Sequence, residues 1–198
     1  MKSILKYAFI FSQDTIKEKV YSLFYGSLES EPEKIVDSYS QGIPVGWSPS
    51  ENGSIYFSEN GEKLYLGTAE SPVPEPKDSL IDEDKPKLDI WNWKDLKLQP
   101  QQKVEAEREK KRTFLAVYHI DLNRFIQLAD LNIKQISTIQ KGNGDVGLAY
   151  DDKPYLRASS WTGNRSRDYY IVDFKSGIKR EMVKDKSSVR LSPFGEYI

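Results

Sequence analysis

Apolar positions in this chain recur with a period of two over most of its length, which reads as short strands separated by polar turns. The clearest stretch runs from Trp47 to Thr68: Ile55 and Phe57 alternate with polar neighbours, Leu64 and Leu66 do the same, and Glu59-Asn60-Gly61-Glu62 lies between them. This spacing predicts a β-hairpin in which Asn60 and Gly61 both take the positive φ of a primed turn. Further paired runs are Tyr21–Leu28 with Lys34–Tyr39, Phe114–Ile120 with Arg124–Ala129, and Tyr169–Phe174 with Ile178–Val183. Leu88 to Asp95 (LDIWNWKD) reads as one more strand, with Trp91 and Trp93 on the face opposite Leu88 and Ile90. Only Gln99 to Arg112 reads as a helix. It is rich in Gln, Glu, Lys, Arg and Ala, with Val104 and Ala106 as its sole apolar content, so it should lie on the surface.

An apolar residue, then Ser or Asp, a turn and another apolar run recur at Ser58, Asp151 and Ser192. These anchors are 93 and 41 residues apart (151 − 58 and 192 − 151). The second interval matches one blade of a β-propeller, which takes roughly 40–50 residues. The first holds two blades or one blade with an insertion, and Ser71–Pro86 favours the insertion, since its four prolines and clustered acidic residues cannot bury enough surface to order it. The predicted fold is all-β: a partial β-propeller of about four blades of antiparallel four-stranded sheets, some incomplete, forming one unit over residues 1–198 with a flexible loop at 71–86. Ile4–Phe11 and Tyr197–Ile198 read as half hairpins, which predicts a piece of something longer and self-association through exposed edge strands.

Charge narrows the partners little. The 29 Lys and Arg against 30 Asp and Glu leave a formal net charge of −1, so no global field draws the chain to nucleic acid or an anionic membrane. Without cysteine it has neither disulfides nor thiolate metal sites. The N-terminal apolar stretch is broken by Lys6, runs uninterrupted only from Tyr7 to Phe11 and lacks a small-residue cleavage site, so it reads as a strand and not as a signal peptide.

The run from Leu88 to Ile120, with Ala158-Ser159-Ser160-Trp161 and Arg167-Asp168-Tyr169-Tyr170, resembles the N-terminal β-propeller of bacterial relatives of the prolyl oligopeptidase family of serine peptidases. The resemblance implies a non-catalytic, gating and substrate-selecting propeller. Its peptide substrate would be cut by an α/β-hydrolase domain, carrying a Ser-Asp-His triad, that these residues do not contain. It also implies a periplasmic or secreted location. The alternative is a stand-alone propeller that binds protein or glycan; a third reading, a five-bladed glycoside-processing enzyme, lacks convincing paired carboxylates.

The chemistry of the residues agrees with a non-enzyme. Gly46-Trp47-Ser48-Pro49-Ser50 lacks the final Gly of a nucleophile elbow and places Pro where a backbone N–H should help form the oxyanion hole. His119, the single histidine, falls within a β run and reads as a strand residue with a polar tip. Asp82-Glu83-Asp84 reads as a solvated loop and no metal or cofactor is expected. No Glu-Glu pair occurs, so the amino-terminus subsite of the dipeptidyl-peptidase branch is not supported. Trp91, Trp93 and Trp161 are expected to fill space between sheets. The basic run Lys103–Arg112 is interleaved with glutamates and reads as a solvated face. The candidate substrate or partner contacts are Trp161, Asn164, Arg165 and Arg167, because a loop between two strands can carry guanidinium groups outward to grip a carboxylate.

Overall fold

The computed structural model of the chain describes residues 5–74 and 90–197. The fold is mostly β, in three antiparallel sheets. The first is a meander of β1 (Lys6–Phe11), β2 (Ser22–Ser27) and β3 (Ser30–Val36). In the second, curled sheet, β4 (Trp47–Pro49) and β5 (Tyr56–Phe57) both pair with β6 (Lys63–Glu70), followed by β7 (Phe114–His119) and β8 (Arg124–Gln127). The third is a meander of β9 (Gln135–Thr138), β10 (Val146–Asp151), β11 (Arg167–Asp173) and β12 (Lys179–Lys186). Two helices, α1 (Gln99–Lys110) and α2 (Leu156–Thr162), flank the strands. Among the described residues no helix is long and apolar enough to cross a membrane.

The middle sheet has both faces covered, which the period-two alternation explains. Leu64 and Leu66 of β6, with Ala116 and Tyr118 of β7, pack against Leu23 and Val36 of the first sheet. Tyr65 and Val117, one residue out of phase, pack against Ala149, Val172 and Phe174 of the third. Lys63 and Thr68, polar residues of β6, are buried as well. The Lys63 side chain, 4 % exposed, donates to the carbonyl oxygens of Asn143 (2.7 Å) and Gly144 (2.8 Å) and to Asp145 Oδ1 (2.6 Å), joining β6 to the connection that precedes β10.

The hairpin at Asn60-Gly61 forms, but not as the primed turn expected. Only Gly61 has positive φ (70°), and the turn is held by Ser58: its N–H donates to Lys63 O (2.8 Å), its carbonyl accepts from Gly61 N–H (2.9 Å) and its hydroxyl accepts from Lys63 N–H (2.9 Å). Ser192 builds the same turn, with Tyr197 O at 2.8 Å, Gly195 N–H at 2.9 Å, Tyr197 N–H at 3.1 Å and Gly195 at φ 77°. The Asp151 member of the proposed repeat differs. Past it the chain enters a 3₁₀ turn at 153–155 and then α2, because Leu156–Thr162 has no two-residue alternation and Gly163 closes the helix at φ 71°. Further on, β6 and the Ser50–Gly53 turn meet at two glycines: a Cβ on Gly67 would fall 2.6 Å from Gly53 Cα and 2.9 Å from Thr113 Cβ.

Residues 90–95 are not a strand. Asn92 turns the chain, its side-chain oxygen accepting Lys94 N–H (3.0 Å) and its carbonyl accepting Asp95 N–H (3.1 Å), which removes the extended geometry a ladder needs. Leu88 and Asp89, with all but residues 71–74 of the loop assigned to 71–86, lie outside the described residues. Helix α1 forms on the surface with no buried residue, ending two residues before the expected limit.

The sheet edges differ in how they meet solvent. Six of the eight residues of β12 are charged, and β3 carries Glu31, Pro32, Glu33 and Lys34, features that discourage pairing with another chain. Edge strand β1 instead exposes Phe9 (39 %) and Phe11 (49 %), with Phe9 stacked on Phe24 at 5.4 Å. Concentration-dependent self-association through β1 is therefore expected, abolished by Phe9→Lys. Sedimentation analysis checks it, and an identical monomer at every concentration for both proteins would refute it.

Candidate functional site

Helices α1 and α2 carry the open surface of the molecule. The start of α1 is fixed by Gln101, whose side-chain oxygen accepts Leu98 N–H (3.3 Å), and by Gln102, whose amide donates to Asp95 Oδ2 and Lys97 O (both 2.9 Å). These bonds hold the turn that presents Trp91 and Trp93. On α2, Arg157 and Trp161 are one turn apart and share a face. The Arg157 guanidinium donates to Trp93 O and lies 5.6 Å from the Trp93 ring centre, with Lys94 Nζ at 5.5 Å from the same ring.

The result is a groove of about 390 Å³ lined by all three of these tryptophans, which are exposed by 67 % (Trp91), 78 % (Trp93) and 87 % (Trp161). This overturns the expectation that they fill space between sheets. The segment of Trp91 and Trp93 has no ladder to place them in a core, and Trp161 sits on a helix and not on a strand.

Through Asp95, Leu96, Lys97 and Ser160 the groove opens into a larger cleft of about 1100 Å³, bounded by α1, α2 and the β9–β10 side of the third sheet. The carboxylates on its α1 wall are engaged: Glu105 by Lys97 and Arg108, Glu109 by Arg112. Hydrogen bonds from Arg112 and from Lys97 hold Glu109 and Glu105, respectively, below the usual carboxylate range. Lys134 is pushed down by burial and by neighbouring Arg112, partly offset by Glu109. On the far wall Arg167 lies over the Tyr150 ring at 4.1 Å, and Tyr155 donates to Asp168 Oδ1 (2.5 Å), a bond that pushes the phenol up to about 12.

The residues singled out from the sequence are thus divided. Trp161 lines the groove, Arg165 and Arg167 line the cleft, and Asn164 lines neither, its N–H donating to Thr162 Oγ1 (3.2 Å). Their loop follows a helix, not a strand, and runs from Gly163 to Ser166. Arg157 escaped notice, although its four-residue spacing from Trp161 was a usable sign once α2 was known.

Ser48 and His119 stand elsewhere. Ser48 is buried in β4 opposite Ala69, and His119 is buried in β7 with Nε2 2.8 Å from Phe174 O, so that nitrogen carries the proton. Among the described residues no three His, Asp or Glu side chains gather as a metal site. The groove can stack flat apolar groups, and the arginines can pair with carboxylates. No family model and no curated protein matches the chain.

Proposed function

We propose that the chain is part of a β-propeller serving as the non-catalytic, substrate-selecting part of a prolyl-oligopeptidase-like serine peptidase. Three antiparallel sheets, with the middle one covered on both faces, and a serine turn used twice support the propeller. The observation that carries the functional half is the contrast between an open surface of tryptophans and arginines and the burial of Ser48 and His119 in separate strands. Such a chain contributes recognition, while nucleophile, base and oxyanion hole belong to another part of the enzyme.

A serine-directed fluorophosphonate probe tests this on the full gene product and on the 198-residue chain. Labelling is expected on a serine of the gene product outside residues 1–198, with the chain itself unlabelled. A gene product with no reactive serine would overturn the reading in favour of a stand-alone binding module, which the groove alone also supports. Labelling of the chain at Ser48 would overturn both.

A further inference from the structure

We propose that the tryptophan groove and the arginine side of the adjoining cleft form one docking site for an extended peptide that carries carboxylates beside apolar or aromatic side chains. Three indole rings exposed on one surface are costly to leave in water, and aromatic grooves of this kind take extended peptide backbone. Charge selects among peptides. Among the described residues Arg157 is paired only with the carbonyl and ring of Trp93, Arg167 lies on a tyrosine face, and Arg165 makes no hydrogen bond or ion pair.

Among the described residues none of the carboxylates lining the groove and cleft forms an ion pair with these arginines: Glu105 and Glu109 are held by other cations, and Asp95, Asp151 and Asp152 are not in salt-bridge contact with them. A guanidinium without a carboxylate is matched by one arriving on the ligand, in two parallel hydrogen bonds. A neutral glycan could stack on the indoles but would leave these charges unmatched. The inference deepens the recognition role proposed above and rests on it, but it requires no catalytic group, so its failure is distinguishable from that of the peptidase reading.

Tryptophan fluorescence reads this surface directly, because three of the four tryptophans line the groove and the fourth, Trp47, is buried. The whole chain is titrated with the peptide acetyl-Pro-Glu-Leu-Pro-Asp-Glu-Leu-amide, with its counterpart bearing Lys in place of each acid, and with neutral and uronic-acid oligosaccharides. The acidic peptide should give a saturable blue shift that weakens with salt, and Trp161→Ala and Arg165→Glu should each weaken binding by about tenfold or more. Both residues are exposed, so circular dichroism of the two variants should match the parent. No shift, an equal response to the lysine peptide, a response to the oligosaccharides in its place, or unchanged affinity in either variant would overturn the proposal.

Discussion

Lys63→Met should lower the stability of the fold by about 3 kcal/mol, read as a fall in the urea midpoint with an unchanged slope. Methionine has nearly the same length but no donor, so the carbonyls of Asn143 and Gly144 lose a charged partner inside the protein. Asp145 suffers less, because Lys175 Nζ remains 2.5 Å from its other oxygen. The acid limb supplies a second reading. Burial raises the Asp145 carboxyl, but the ammonium groups of Lys175 and Lys63 outweigh it and hold the group below its ordinary value. A carboxyl lowered in the folded state stabilises above its unfolded pKa, about 3.9, and that contribution is lost as pH falls through the lower folded value. Below about pH 4 the parent protein should therefore lose stability more steeply than Lys63→Met, which keeps only one of the two cations. Coincident urea midpoints at neutral pH would mean that this joint contributes nothing.

Gly67→Ala should also cost about 3 kcal/mol. The added methyl meets backbone at Gly53 and side chain at Thr113, and the backbone contact at 2.6 Å cannot be relieved by a rotamer change. Thr113→Ala in the same chain should restore little of the loss, since it removes only the hydroxyl contact and leaves both the Thr113 Cβ and the Gly53 backbone in the way. Thermal melts of the single and double variants decide it; an unchanged melting temperature in Gly67→Ala would show that β6 and the Ser50–Gly53 turn can separate freely.

The elements most legible in the sequence are those whose cause is local. Phe114–His119 declares itself by alternation beside an Asn123 turn, the strand expected at Ile178–Val183 (β12, Lys179–Lys186) by its place after the Gly177 turn, and α1 by its composition. What could not be read is burial on both faces of β6. Whether Lys63 meets water or the carbonyls of residues 143 and 144 depends on a contact some 80 positions away. The tryptophans failed for a related reason. An aromatic residue is buried only if a neighbouring layer covers it, and the turn at Asn92 and the helix that carries Trp161 take these rings away from any layer. Of the candidate contacts, Arg165 and Arg167 were legible as charges on a loop, whereas the cleft they line is made by α1, which the chain contributes from far upstream.

The double cover on β6 also bears on how the molecule opens. Its amides pair with β4, β5 and β7 while its side chains are enclosed by the flanking sheets, so no small fluctuation exposes them to solvent deuterium. β12, paired on one side only and without a buried residue, can peel away without disturbing either core, and so can the exposed first residues of β3, before Ile35 and Val36 enter the packing. The chain should thus possess a graded ladder of openings, with the outer strands exchanging their protons through local excursions and β6 only through complete unfolding.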